Sequence, residues 1–243
     1  MDGYTAATYG DRMAGVYDSF YGSVDVGLRM DVLEELAAGG RALELGIGTG
    51  SFALPLAARG VDVHGIDVSE AMVEQLRAKE GGASVPVTVG DFADVEVDGT
   101  FSLVFVINNT LFMLTEQEEQ IRCFENVAAR LDESGVFLVD AFVPDVTRFD
   151  RGQEVRARLP DLETVRLDVS THDPMKQLVD FRHVLLSEGG IQMYPAQLRY
   201  IWPTEMDLMA RLAGLRLRER WGDWDRSPFT SKSEGHVSVY ERA

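Results

Sequence analysis

A cluster of glycines directly after a buried apolar stretch constrains the fold of this chain more than any other feature. Residues 41–45 read Arg-Ala-Leu-Glu-Leu, a short strand, and Gly46-Ile47-Gly48-Thr49-Gly50 follows without a spacer. Glycine lets the backbone turn sharply and approach a ligand closely, because it has no Cβ. Residues 51–59 then predict a helix whose first free N–H groups point to the same place. This strand–turn–helix unit predicts an α/β fold with a ligand at the turn.

Strands alternate with helices through the first 141 residues. Ser69 is a predicted helix N-cap, and Thr115 with Glu118 is a predicted capping box. An earlier helix, ending near Ala38, is predicted from an apolar stripe at helical spacing: Val26, Met30, Leu33 and Leu36. Further strands are predicted at residues 61–66, 85–89, 101–107 and 135–141. The alternation predicts a Rossmann-like, doubly wound sheet of mostly parallel strands.

The pattern changes after Pro144, where apolar and polar residues alternate through much of the segment that ends at residue 201. Alternation predicts antiparallel strands with one packed face and one solvated face. We therefore interpret residues 144–201 as a small antiparallel insert within a single domain that spans 1–243.

The C-terminal segment predicts one more helix and a closing antiparallel pair. Thr204 with Asp207 predicts the cap of a helix that runs to Ala213. Residues 215–221 and 236–240 are then predicted to pair, across a long loop. The main sheet should therefore carry an antiparallel C-terminal strand.

The charge of the chain argues against a nucleic-acid partner. The formal net charge is −17, and nucleic-acid binding depends largely on contacts between basic side chains and phosphate. Residues 151–158 hold three arginines, but Glu154 interrupts them, so we interpret this stretch as a solvated strand face. The single cysteine, Cys123, lies in a helical pattern and is expected to be a packed thiol. With no signal-peptide pattern or membrane-length apolar run, we expect a cytoplasmic protein without membrane contact.

Two carboxylates lie at the ends of the first two predicted strands. Glu44, just before the glycines, favours a cationic ligand such as an ammonium or sulfonium group and disfavours a pyrophosphate. A dinucleotide site requires Gly-x-Gly-x-x-Gly, whose third glycine would fall at Ser51. Asp67 can accept both hydroxyls of a ribose, but that role also suits a nicotinamide cofactor, and a helix N-terminal charge is an alternative.

The third and fourth predicted strands end in further candidate ligand contacts. In Gly90-Asp91-Phe92, Asp91 can accept an adenine amino group and Phe92 can cover its ring, although an ordinary turn explains the segment too. Asn108-Asn109-Thr110 lies over the crevice of the sheet, where its carbonyls and amides can contact a ligand. Simple turn chemistry is again an alternative, because asparagine tolerates left-handed conformations.

Together these segments resemble the class I S-adenosylmethionine-dependent methyltransferases, over about residues 17–141. Glu44–Gly50 resembles the first motif of the family, Val63–Ser69 its second-strand acid and Gly90–Phe92 its adenine segment. Tyr17-Asp18-Ser19-Phe20-Tyr21 resembles the start of small-molecule members, such as glycine and amino-sugar N-methyltransferases. The chain lacks the Asn-Pro-Pro-Tyr type of signature at residues 108–111, and no metal site is expected.

The resemblance implies roles for individual residues. S-adenosylmethionine (SAM) would be the cofactor, with S-adenosylhomocysteine (SAH) as product. The implied cofactor contacts are Tyr17, Glu44, Gly46, Gly48, Gly50, Asp67, Val68, Met72, Gly90, Asp91, Phe92, Ile107 and Asn108. The implied acceptor contacts are Tyr9, Tyr21, Asn109, Phe142 and Tyr200, and the antiparallel insert would help to form the acceptor pocket.

The expected activity is methyl transfer to a nitrogen or oxygen atom of a small metabolite or natural-product intermediate. A protein acceptor is the alternative, and a nicotinamide-dependent oxidoreductase or a non-catalytic cofactor-binding protein stays open. A base is needed only if the nucleophile must lose a proton early. The candidates are His172, His183, His236, Tyr17, Tyr21 and Tyr200, and none is singled out because each histidine also has a structural explanation. The chain is expected to be a monomer or a homodimer.

Overall fold

The computed structural model describes residues 3–21, 27–159 and 162–243. Val26, predicted on the stripe of an early helix, lies outside the described residues. Its predicted companions Met30, Leu33 and Leu36 are buried on one face of a helix. The helices are α1 Thr8–Met13, α2 Tyr17–Tyr21, α3 Gly27–Ala37, α4 Ala53–Ala58, α5 Glu70–Ala78, α6 Gln117–Arg130 and α7 Pro203–Leu212.

Seven strands form the main sheet, in the order β10-β11-β5-β4-β1-β2-β3. The first five strands in sequence pair in parallel, while β11 runs antiparallel to both β5 and β10. This confirms the predicted Rossmann-like sheet and the predicted pairing of the C-terminal strands. Its strands are β1 Arg41–Leu45, β2 Asp62–Asp67, β3 Val87–Val89, β4 Phe101–Val106, β5 Leu131–Phe142, β10 Leu215–Trp221 and β11 Gly235–Arg242.

Alternate side chains of the main sheet enter two apolar cores, one on each face. In β4, Val104 and Val106 pack with Phe124 of α6 and Met206 of α7. Leu103 and Phe105 pack on the opposite side, in a core shared with α3 and α4. Since β4 is covered on both faces, every one of its side chains is buried. Cys123 on α6 is also buried, as expected of a packed thiol, and burial raises its pKa.

A second sheet, of four antiparallel strands in the order β6-β7-β8-β9, lies between β5 and α7 in the chain. The alternation of residues 144–201 therefore predicted its strand type correctly. The expectation of a packed apolar face and a solvated polar face fails in the first two strands of this sheet, although the last two bury Val179, Tyr194 and Ala196. Apolar side chains such as Val155 and Met193 are exposed, whereas the polar side chains of β6 and β7 line a cavity. The strands are β6 Gln153–Arg158, β7 Val165–Asp173, β8 Leu178–Ser187 and β9 Gly190–Arg199.

Two predicted helix caps differ from the observed ones. The capping box of α6 is formed by Glu116 and Glu119, one residue later than predicted. Helix α7 begins with Pro203 at its first position, where the missing N–H costs nothing, and has no side-chain cap. Asp207 instead accepts hydrogen bonds from Arg220 and from Tyr240. A carboxylate that serves two partners on β10 and β11 is no longer available to cap a helix.

Candidate functional site

A cavity of about 500 Å³ opens at the carboxyl ends of β1, β2 and β4. Parallel α/β sheets bind ligands at this edge, and the volume lies in the range of small-molecule sites. One wall is the glycine turn with the ends of the strands. The others are α1 and α2, the segment 108–113 and one face of the second sheet.

The glycine turn needs its glycines for two separate reasons. Gly46, Gly48 and Gly50 all have positive φ values of 69°, 54° and 79°, which other L-residues adopt only at a cost. A Cβ on Gly46 would also lie 2.5 Å from Cγ2 of Thr110. The backbone of the turn therefore forms part of the cavity wall directly, without side chains between.

Asp67 ties the end of β2 to this turn. One of its carboxylate oxygens accepts a hydrogen bond from the N–H of Gly48 at 2.8 Å, and the other accepts one from the N–H of Ser69 at 2.9 Å. Burial raises the pKa of Asp67, although the two N–H groups oppose the shift. Each oxygen retains a second lone pair, and the residue lines the cavity, so its carboxylate can still accept ribose hydroxyls.

Glu44 lies beneath the turn and is fully buried. Its Oε2 atom has no hydrogen-bond partner among the described residues. Burial, and then the charge of Asp67, raise the pKa of Glu44 well above its usual value. A buried carboxylate oxygen without a partner is costly, and a cationic group placed close to it would remove part of that cost. The residues at this end of the cavity therefore fit the ammonium-bearing part of SAM.

Short polar contacts hold helices α1 and α2 against the glycine turn and helix α5. Asp18 of α2 accepts a hydrogen bond from Thr49 of the turn at 2.6 Å and pairs with Lys79 at 2.6 Å. Asp11 of α1 accepts a hydrogen bond from Ser69 at 2.6 Å. The tyrosines of both helices are thereby held over the ends of β1 and β2.

A chain of hydrogen bonds crosses the cavity from α1 to the second sheet. The Tyr9 hydroxyl lies 3.3 Å from that of Tyr21, and the Tyr21 hydroxyl lies 3.3 Å from Nε2 of His183. Nδ1 of His183 lies 2.5 Å from Asp168. All four residues line the cavity, so the chain connects the cavity to a buried histidine–carboxylate pair.

The wall formed by β6 and β7 is strongly charged. Arg148 and Arg156 both contact Glu154, while Arg158 and Arg166 both contact Asp168. Strand pairing places Arg156 opposite Asp168, on the same face. Although β6 is on the whole exposed, these side chains reach into the cavity. The prediction of a simple solvated face for residues 151–158 was therefore incomplete.

Most of the residues implied as cofactor contacts lie around the cavity. Others do not line it: Glu44, Gly50, Gly90, Asp91 and Ile107. The cofactor candidates that line it are Tyr17, Gly46, Gly48, Asp67, Val68, Met72, Phe92 and Asn108.

Asp91 makes a hydrogen bond within its own turn, whereas the two asparagines bond to distant parts of the chain. Asp91 accepts a hydrogen bond from the N–H of Ala93. Asn108 and Asn109 have positive φ values of 55° and 66°, and their side-chain oxygens accept from Arg29 and from the N–H of Phe142. The positive φ values therefore agree with the turn interpretation, while the side-chain bonds fix both asparagines to α3 and β5, and both also line the cavity.

Four of the five predicted acceptor contacts line the cavity, namely Tyr9, Tyr21, Asn109 and Phe142. Tyr200 does not, because it follows the last residue of β9 and its hydroxyl bonds to Nε2 of His172 at 3.0 Å. His236 is also outside the cavity, buried at β11.

Sequence reasoning missed most of the wall formed by the second sheet. The available signal was the spacing of polar residues at every second position of β6 and β7, which indicates a shared face. The cavity residues that were not predicted as contacts are Ala6, Gly10, Ser69, Thr110, Met113, Arg148, Glu154, Arg156, Arg158, Arg166, Asp168, Ser170, Val179, Phe181, His183 and Leu198. Within the described ranges, no three metal-binding side chains are grouped, and no helix is long and apolar enough to cross a membrane.

Comparison with known proteins identifies the family. Residues 42–135 match the family model of a methyltransferase domain. The structure of the CcbJ methyltransferase from Streptomyces caelestis is 40% identical, with a TM-score of 0.91 over 99% of this chain and 100% of that chain. The cypemycin N-terminal methyltransferase of a Streptomyces species is 30% identical over 84% of each chain.

A more distant structure shows the same fold. The SAM-bound amino pentose methyltransferase from Micromonospora echinaspora is 21% identical, with a TM-score of 0.72 over 94% of this chain and 97% of that one. This chain belongs to the SAM-dependent methyltransferases.

Proposed function

We propose that this enzyme transfers a methyl group from SAM to an amine nitrogen of a small natural-product intermediate. One observation carries the proposal: a single cavity runs from the glycine turn to the inner face of the second sheet. Cofactor and acceptor would then share one enclosed space, with residues 144–201 as the acceptor cap of a single domain. The cypemycin relative, whose name describes N-terminal methylation, supports nitrogen over oxygen.

The cofactor end of the cavity would be formed by the glycine turn and the ends of β1 and β2. Asp67 would accept the ribose hydroxyls, and Gly46 and Gly48 would admit the cofactor close to the backbone. Glu44 does not line the cavity, so it would attract the ammonium group from beneath the turn rather than contact it. Val68, Met72 and Phe92, which line the cavity together, would enclose the adenine ring.

SAM supplies an electrophilic methyl group whose leaving group is already activated. The protein's own contribution is therefore mainly to orient the acceptor and to exclude water. The tyrosines of α1 and α2 close one side of the cavity, and the charged wall of β6 and β7 closes the other. Polar acceptor atoms can bond to that wall while the amine points towards the glycine turn.

Calorimetry with SAM, SAH and NADH tests the cofactor site. Asp67→Asn should weaken SAM binding by at least about tenfold, since a hydrogen bond to a charged group contributes about 1.5–3 kcal/mol. Asp62→Asn is the matched control, because Asp62 begins the same strand, is exposed and pairs with Arg41 at the far end. Tighter binding of NADH than of SAM, or equal losses in the two variants, would contradict the assignment.

Turnover with chosen acceptors tests the chemistry. Production of SAH would be measured with an amino sugar, a peptide with a free N-terminus, the same peptide acetylated, and a phenol. We expect amines to be methylated and the acetylated peptide to be inert. Methylation of the phenol alone would refute the nitrogen assignment, and turnover of proteins in preference to every small amine would refute a small acceptor.

A further inference from the structure

The hydrogen-bond chain from Tyr9 to Asp168 has a defined direction. Nδ1 of His183 lies 2.5 Å from Asp168 and 3.0 Å from a guanidinium nitrogen of Arg166. An ionised carboxylate can only accept, so the contact with Asp168 places a proton on Nδ1, and the Arg166 nitrogen is then a close neighbour of Nδ1 rather than its hydrogen-bond donor. Nε2 then presents a lone pair, which accepts the hydrogen bond of the Tyr21 hydroxyl. The oxygen of Tyr21 accepts in turn from Tyr9.

Asp168 is well placed to hold the ring of His183 in this state. The two residues face each other across β7 and β8. Burial raises the pKa of Asp168, but the hydrogen bonds from His183 and Arg166 outweigh it and hold the pKa well below its usual value. Asp168 is therefore a permanent acceptor for Nδ1–H, which fixes the tautomer of His183 in the way that a carboxylate orients a catalytic histidine.

Two tyrosines beside Tyr21 are poor proton acceptors by themselves. Burial, followed by the neighbouring hydroxyl of Tyr21, raises the pKa of Tyr9 well above its usual value. Burial also raises the pKa of Tyr17. Both phenols therefore stay protonated, and a proton that reaches Tyr21 must pass to another group. The neighbour of the Tyr21 hydroxyl that can accept it is Nε2 of His183.

We propose that His183 is the proton acceptor of the methyl-transfer reaction and that Tyr21 is the catalytic group through which the proton reaches it. This inference rests on the proposed transfer to an amine. As the new N–C bond forms, the C–S bond breaks and its electron pair stays on sulfur. The amine proton passes to the oxygen of Tyr21, and the phenolic proton of Tyr21 passes to Nε2. Asp168 is a positioning residue, and the imidazolium returns its proton to water when the product leaves.

The groups that face His183 come from four elements. Asp168 and Arg166 approach from β7, Tyr21 from α2, and Tyr194 stands opposite on β9. Phe20 and Phe181 pack against the ring, with centroids 6.1 and 5.0 Å away. Bulk water therefore reaches His183 poorly, since the residue is only 6% exposed, and the hydroxyl of Tyr21 is the hydrogen-bond partner of Nε2 on the cavity side.

The chain offers a matched control in His172. It also lies in the second sheet, and its Nε2 is also bonded to a tyrosine hydroxyl, that of Tyr200. Neither His172 nor Tyr200 lines the cavity. A general effect of losing a histidine–tyrosine pair would appear at both sites, whereas a role in proton transfer would appear only at His183.

Kinetics with the best amine from the acceptor test would compare H183Q, Y21F, D168N and H172Q. We expect kcat to fall by at least about 100-fold in H183Q and in Y21F, with little change in KM or in SAH affinity. In H183Q the dependence of kcat on pH should also differ from that of the wild type and of H172Q. A kcat for H183Q and Y21F equal to that of H172Q would overturn the proposal.

A second measurement does not need an acceptor. Nitrogen-15 NMR of the histidine rings in the SAH complex should show that the neutral ring of His183 is protonated at Nδ1 and unprotonated at Nε2. Y21F should shift the Nε2 signal, and D168N should allow the other tautomer. A ring protonated at Nε2 in the wild type would overturn the proposal even if methyl transfer is observed. Failure of the proposed function would appear separately, as absence of turnover with this tautomer intact.

Discussion

Gly46→Ala should damage the glycine turn through two independent effects that the structure allows to be separated. Gly46 has a φ of 69°, and a Cβ there would lie 2.5 Å from Cγ2 of Thr110. The left-handed conformation costs an L-residue about 1–2 kcal/mol. Crowding in a packed site adds about 1–3 kcal/mol. We therefore expect Gly46→Ala to lower the free energy of unfolding by about 2–5 kcal/mol.

Two further substitutions separate the conformational cost from the cost of crowding. Gly39 has a φ of 77° and would have no atom within 4 Å of a new Cβ, so Gly39→Ala should show only the conformational cost, about 1–2 kcal/mol. Thr110→Ser removes the clashing methyl group. It keeps the hydroxyl, which donates a hydrogen bond to the carbonyl of Ile107 at 2.7 Å. In the Gly46→Ala background, Thr110→Ser should therefore restore the part of the unfolding free energy that was lost to crowding, and leave the conformational cost unchanged.

Urea unfolding gives the coupling energy between positions 46 and 110 directly. It would be measured for the wild type, the two single variants and the double variant. We expect a favourable coupling of about 1–3 kcal/mol, the size of the relieved clash. SAM affinity measured on the same proteins shows whether the cavity wall has been restored. Additive effects of Gly46→Ala and Thr110→Ser would refute the contact between these two positions. A loss in Gly39→Ala as large as in Gly46→Ala would refute the separate crowding term.

Three further predictions concern buried polar groups. Glu44→Gln should keep or raise thermal stability, because it neutralises a buried oxygen without a partner, and should weaken SAM binding by about tenfold in calorimetry. Burial and Arg220 lower the pKa of His236 from 6.5 to about 4. As the pH falls from 6.5 to about 4, His236 is protonated in the unfolded chain before it is protonated in the folded protein. About 3 kcal/mol of the free energy of unfolding should therefore be lost over this pH range. His236→Gln should remove that part of the pH dependence of urea unfolding. Arg199→Met removes the buried partner of Glu205 and Gln120 and should lower the free energy of unfolding by about 3–5 kcal/mol in the same assay. A loss smaller than that of the exposed control Arg216→Met would contradict this prediction.

The parts of the molecule predicted well from sequence are those set by neighbours along the chain. The glycine turn, the acid at the end of β2 and the N-cap at Ser69 each follow from residues within a few positions. Ser69 accepts the hydrogen bond of the Met72 N–H as predicted. Predicted strand ends differ only slightly, as where β3 begins at Val87 rather than residue 85. Local backbone chemistry is sufficient for this half of the structure.

The wall formed by the second sheet was predicted poorly because it depends on which face of that sheet meets the rest of the protein. Alternation in β6 and β7 predicts two different faces, but it does not show what each face packs against. The usual expectation, apolar inwards, fails for these two strands because their polar face lines the cavity rather than a core. Tyr200 lies outside the cavity lining, and its partner His172 is 28 positions away, so neighbouring residues could not indicate this pairing.

Sequence separation also divides the enzyme into two functional parts. Asp67 contacts Gly48, only 19 positions away, whereas Tyr21 contacts His183 across 162 positions. The glycine turn and Asp67 therefore belong to one local β1–α4–β2 unit, whereas the contact between Tyr21 and His183 needs the second sheet to pack against α2. Under the proposed function, substitutions on the inner face of β6–β9 should alter the choice of acceptor and leave the glycine turn and Asp67 intact. The proposed proton acceptor lies on β8, so in this proposal the path of the proton and the choice of acceptor depend on the same sheet.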